Sequence, residues 1–160
     1  MKKLVAFLLF TIICFQINAQ DAPDITGIWQ LKLDGKFVTG KSLGLKKAPY
    51  SGHNAYFLFT SDELFYAISP DKNLTRTKLD KLIDKQLAGA GDFLMYADLE
   101  SVPEDERSRF NDSYPANTFF VVGDVQGEKS FFYYEPLRKK FLGAKRNPQA
   151  ELVRVGSFKE

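Results

Sequence analysis

Cysteine, histidine and tryptophan are almost missing from this 160-residue chain, with one of each. The sole cysteine, Cys14, lies in an N-terminal stretch that reads as removable, so the working chain has no thiol. Disulfides then cannot brace the fold in an oxidising compartment, and stability has to come from a packed core. One histidine and no thiol leave too few ligands for zinc, which takes three or four. A calcium loop of the Asp-x-Asp-x-Asp-Gly kind is also missing, and oxygen-only calcium binding needs one. No metal or cofactor is expected.

The N-terminus has the order of a secretory signal. Met1-Lys2-Lys3 is positive, Leu4 to Phe15 is nearly all apolar, and Ile17-Asn18-Ala19 ends on a small residue. Cleavage after Ala19 would leave residues 20–160 as one domain acting in the periplasm or outside the cell. The apolar run is too short to remain as a membrane-spanning helix, so no transmembrane segment is expected after cleavage. Lipid anchoring at Cys14 would need a small residue before it, and the bulky Ile13 argues against that. Losing Lys2 and Lys3 takes the basic residues from 22 to 20, equal to the 20 acids. A neutral chain has no global field to gather nucleic acid or anionic lipid.

What remains is rich in aromatics, with 15 Phe and 7 Tyr in the whole chain. They come in short bursts between turn residues, the pattern of an antiparallel sheet. Ile25 to Asp34 alternates, with Trp29 on the apolar face and Ile28 as the exception. Asp34-Gly35 signals a turn, Lys36 to Thr39 a return strand, and residues 40–54 a loop. Ala55 to Thr60 and Leu64 to Ile68 flank a tight turn. Thr77 is the expected cap of a helix through Leu79, Leu82, Ile83 and Leu87, stopped by Gly89 and Gly91. Phe93 to Leu99 reads as strand, and Pro103 to Arg109 as a helical turn. Four further strands follow: Thr118 to Val125, Ser130 to Glu135, Arg138 to Leu142 and Glu151 to Val155. The expected fold is mainly β, a single small antiparallel barrel with a helix inserted near residues 77–88.

Two short motifs carry a resemblance. Thr26-Gly27-Ile28-Trp29-Gln30-Leu31 resembles the Gly-x-Trp opening of lipocalin-like proteins, and Leu152-Val153-Arg154-Val155 resembles the final strand that bears their arginine. The hairpin from Tyr56 to Tyr66 and the ending Asn18-Ala19-Gln20 are similar to small secreted members from Bacteroidota. The resemblance implies a closed barrel whose chain ends meet, with Arg154 lying across the Trp29 ring as a structural pair. Two features depart from the family pattern. The helix falls mid-chain instead of after the barrel, and the family's disulfides are missing.

Other features read more plainly. His53, between Gly52 and Asn54, reads as a solvated loop side chain. The acids Glu104-Asp105-Glu106 read as a solvated helix start. Residues 138–146 hold Arg138, Lys139, Lys140, Lys145 and Arg146 without an acid, either as a solvated edge or as a surface for an anionic partner. Large apolar groups sit on both faces of several strands. One face fills the barrel, and the other has to meet the helix, a partner or a ligand. By alternation, Phe57, Phe59, Phe120, Phe132 and Tyr134 are the candidate lining of a ligand cavity. The chain is expected to be non-catalytic and to bind a small hydrophobic molecule. The alternative is an envelope interaction module with a solid barrel that binds protein or glycan through its surface.

Overall fold

The computed structural model of the chain describes residues 21–145 and 148–159. The expected signal, Cys14 and Arg146 lie outside those residues. Nine strands follow in chain order: β1 (Gly27–Leu33), β2 (Lys36–Phe37), β3 (Asn54–Phe59), β4 (Leu64–Ser69), β5 (Ala88–Tyr96), β6 (Phe119–Val125), β7 (Glu128–Glu135), β8 (Lys140–Gly143) and β9 (Ala150–Gly156). All strand pairings are antiparallel, and β9 returns to pair with β1. The short β2 folds back on β1, and the other eight strands close into a small barrel. Closure removes the unpaired edges an open sheet would present.

The first strand has two lives. Gly27 to Gln30 pair with Phe59 to Tyr56 of β3, while the other side of β1 runs along β9. Beyond Gln30, the chain turns at Asp34-Gly35, where both residues have positive φ (50° and 74°). It then slides between β1 and β3: Val38 N–H donates to the Leu31 carbonyl at 2.9 Å, and Ala55 N–H to the Val38 carbonyl at 3.0 Å. The segment from Thr39 onward is not plain loop. It holds two short 3₁₀ turns, Gly40–Leu43 and Tyr50–Gly52.

Inside, alternate residues of the wall meet as rings. Trp29, Phe57, Phe59, Phe119, Phe132, Tyr134 and Phe141 share one buried cluster with Leu64, Val121 and Leu152. Phe141 stands edge-on to Trp29 at 4.8 Å and stacks on Phe59 at 5.3 Å. Such pairs add about 0.5–1.5 kcal/mol each beyond the area they bury.

The outer face is also apolar, and two segments cover it. Helix α1 (Arg76–Asp84) lies in the β4–β5 connection and packs Leu79 and Leu82 against Ile28, Tyr56, Leu58 and Phe65. This explains why Ile28 broke the alternation: it faces the helix, not the barrel interior. The cap is Thr75, whose hydroxyl accepts from Lys78 N–H at 3.3 Å, and not Thr77. Thr77 sits inside the first turn, so the helix starts earlier than expected and ends before Leu87. The second cover is the long β5–β6 connection with its one-turn helix α2 (Glu104–Arg107). Its Val102, Phe110 and Tyr114 lie on Phe120, Val122, Phe131 and Tyr133. Phe110 and Tyr114 both stand edge-on to Phe120, at 5.2 and 5.0 Å.

Gly89 and Gly91 belong to β5, where sequence rules made them helix stops. Their role is close approach. A Cβ on Gly91 would stand 1.9 Å from the Asp124 carbonyl oxygen and 2.7 Å from Val125 Cα, both backbone atoms. Gly91→Ala is therefore expected to lower stability by about 1–3 kcal/mol or more through forced backbone displacement. Gly52→Ala, with nothing within 4 Å of the added atom, should stay within about 0.5 kcal/mol. Urea denaturation of both variants checks this, and equal losses would remove the close-approach explanation.

Candidate functional site

The two ends of the barrel differ. The end at Gly27 and Gly156 is filled by the Trp29 cluster. At the opposite end, where the 40–53 segment, the end of the β4–β5 connection and the β6–β7 hairpin meet, a cup of about 530 Å³ opens. Its inner wall is Leu31, Phe57, Tyr66 and Val125, one residue each from β1, β3, β4 and β6. Leu43, Leu45, Ile68 and Leu87 extend the apolar rim. Phe57 and Tyr66 meet at 5.4 Å with their planes tilted by 55°. Gly89 leaves the β5 wall bare beside them.

Polar groups are few. Tyr66, Gln86, Gln126, Glu128 and Ser130 reach the cup. Burial pushes the Tyr66 phenol up to about 12, because the apolar wall disfavours the phenolate. The phenol is thus a neutral hydroxyl at any physiological pH. Gln86 and Gln126 both hold turn backbones with positive φ (59° and 55°).

Of the five residues chosen by alternation, Phe57 lines the cup. Phe132 lies behind it, edge-on at 5.7 Å. Phe59 and Tyr134 pack deeper, each against Phe141. Phe120 does not face the interior. It belongs to the outer cluster under the β5–β6 connection. Phe119 and Phe120 are both large and apolar, so alternation alone had no sign by which to choose between them. Sequence reasoning also passed over Leu31, Tyr66, Val125 and the rim leucines. Tyr66 shares its strand face with Leu64, a period-2 signal that was available. Leu43 and Leu45 sat in a stretch read as loop and gave no periodic signal.

Trp29 and Arg154 face each other in the β1–β9 register. The guanidinium carbon lies 5.7 Å from the Trp29 ring centroid. The same guanidinium donates to the Thr26 carbonyl, and the indole N–H donates to the Ile25 carbonyl at 2.9 Å. Gly27 makes room for this crossing. Its φ is 140°, and a Cβ there would stand 3.0 Å from Arg154 Nε and 2.9 Å from the Gly156 carbonyl oxygen. A recess of about 360 Å³ beside the pair includes Asp24, Thr26, Thr60 and Ser61. The Thr26 hydroxyl and backbone N–H donate to Asp24, and these bonds hold its carboxyl below the usual range.

Two other sequence candidates, and one motif the sequence reading missed, resolve into local structure. His53 is half-buried, edge-on to Tyr50 at 5.5 Å, and its Nδ1 is buried with no hydrogen-bond partner; it is not the solvated side chain expected. Gly40-Lys41-Ser42-Leu43-Gly44 has the Gly-x-Ser-x-Gly spacing of a nucleophile elbow, which the sequence reading passed over. It forms a 3₁₀ turn where an elbow needs a strand-to-helix turn. Both glycines have local reasons. A Cβ on Gly40 would strike the Tyr50 carbonyl at 2.1 Å, and Gly44 has φ 91°. The exposed Ser42 hydroxyl lies 3.4 Å from that of Thr39. In the basic run, Arg138 pairs with Glu135 at 3.3 Å and Lys140 with Glu151 at 3.0 Å. These pairs place acids from β7 and β9 beside charges that looked unbalanced in sequence.

No family model matches the chain, and neither a curated protein nor a solved structure does.

Two outcomes are expected. Trp29→Ala and Arg154→Ala should couple in a double-mutant cycle by about 0.5–1 kcal/mol, the exposed end of the cation–π range; strict additivity would mean the two do not interact. For Tyr66, the folded pKa lies above that of the unfolded chain. Its stabilising effect is complete below about pH 10 and is lost as pH rises toward about 12. Tyr66→Phe should flatten the alkaline fall in thermal stability over that window. An unchanged slope would place the phenol in solvent.

Proposed function

We propose that this chain is a lipocalin-like, non-catalytic binder of a small hydrophobic molecule, acting in the periplasm or outside the cell once residues 1–19 are removed. The observation that carries the reading is the apolar cup at one end of a barrel whose interior beyond it is filled by the Trp29 ring cluster. Pockets of about 300–1,000 Å³ with apolar walls and a few placed polar groups are the usual form of small-molecule sites. Here the driving force is removal of apolar ligand surface from water, about 25 cal/mol per Å². The wall is preformed by paired strands, so little ordering opposes binding. The aromatic block beneath Phe57 gives the cup a rigid floor.

The surface-binding alternative gains less support. The basic run it would use is partly neutralised by Glu135 and Glu151.

Native mass spectrometry of protein purified from its own host tests the reading directly, with extra mass from a co-purified apolar ligand expected. Ser130 shares the inward face of β7 and reaches the cup. Ser130→Phe should fill the mouth, abolish binding of an apolar fluorescent probe, and shift Tm by only a few degrees. Undiminished probe binding in a folded Ser130→Phe protein would place the ligand elsewhere.

A further inference from the structure

We propose, resting on the ligand-binding reading of the cup, that its occupant has a hydrogen-bond-donating polar end, an alcohol or an amine, and not a carboxylate. The charge of the lining carries this. Among the described residues, no lysine or arginine lines the cup, and its one charged group is Glu128 at the rim. A carboxylate brought there would lose water without gaining a cation, and would lie near a second negative charge.

Two lysines beside the lining strands are placed for other partners. Lys129, next to Glu128 in sequence, points to the outer wall and pairs with Glu106. Lys32, next to Leu31, lies over the Phe37 ring at 4.6 Å. Neighbouring residues of a strand face opposite sides, so these lysines are on the wrong face of their strands to enter the cup.

Every polar group in the lining can accept a hydrogen bond, and Glu128 can only accept. The Gln86 and Gln126 amides and the Tyr66 and Ser130 hydroxyls accept as well as donate, so the carboxylate of Glu128 is what favours a donor. The Gln126 side chain lies along the bare β5 wall. Its amide nitrogen is 3.3 Å from the point a Gly89 Cβ would occupy. An apolar chain entering mouth-first would seat its tail on Leu31, Phe57 and Val125 and leave its hydroxyl or ammonium among these acceptors.

A matched series on the full mature chain decides the matter: decanol, decylamine and decanoate, titrated calorimetrically at pH 7 below their aggregation limits. The expected order has decanoate roughly tenfold weaker than decanol, the scale of one unpaired charge near another in a partly wet site. Decylamine should bind at least as well as decanol. Glu128→Gln, at an exposed rim position, should weaken decylamine, strengthen decanoate and leave decanol unchanged. Ser130→Phe should weaken all three, which separates binding in the cup from adsorption elsewhere. Decanoate binding as tightly as decanol to the unaltered chain would overturn the donor-end assignment while leaving the cup intact as a site. Failure of all three to bind would overturn the cup itself, and this assignment with it.

Discussion

Pairing of the first strand with the last is the constraint on which the rest of this barrel depends. Without β1 against β9, an eight-stranded antiparallel sheet would end in two rows of free N–H and C=O groups. With it, the whole wall is internally satisfied, and the inner face becomes a closed volume. The seam is reinforced where it is hardest to form. Trp29 lies across from Arg154, under the rings of Tyr134 and Phe141. Gly27 lacks the side chain that would block the arginine's path. The contact joins residues at opposite ends of the chain. Closing such a long loop comes late and is slow in folding, so a cluster of rings that rewards it is well placed at this seam.

The sheet could be read from the chain with little error, because strands here are short aromatic bursts between turn residues. Positions near Asp34-Gly35 and around the Ser61-Asp62 turn were marked by local chemistry and hold in the structure. The failures have one physical origin: both faces of the wall are apolar. Period-2 alternation identifies an inside only when the outside is polar. Phe119-Phe120 defeats it, and so Phe120 was placed on the wrong face. Gly89 and Gly91 were misread for a related reason. A glycine signals freedom of backbone in a helix and close approach in a sheet, and the chain alone does not say which. Of the candidate cup, Phe57 was legible. Leu43 and Leu45 were not, since their place depends on how the 40–53 segment folds over the mouth.

The covering of the outer face resolves the aromatic surplus. Helix α1 lies over the wall of β1, β3 and β4, and the β5–β6 connection over that of β6 and β7. Neither one plugs the barrel. The mid-chain helix, which departs from the lipocalin pattern, is therefore an outer layer on the wall and leaves the mouth unobstructed. Charge follows the same logic. The acids of α2 and the basic run of residues 138–146 look unbalanced in sequence, yet Glu106 meets Lys129 and Lys140 meets Glu151 across neighbouring elements.

Gly89 and Gly91, two residues apart on β5, differ in a way that bears on how such a barrel could diverge. A side chain at 91 would meet backbone atoms of β6, which cannot yield without parting the strands. At 89 the three nearest atoms to an added Cβ would be Val125 Cγ1 and Gln126 Cδ and Nε2, all side-chain atoms and none backbone. Position 91 is thus frozen by the wall, whereas position 89 is a dial. One substitution there would shrink the cup, and the reverse change would restore it, with the Trp29 seam untouched. A single codon at position 89 thus sets the volume of the cup, while the one at 91 cannot vary.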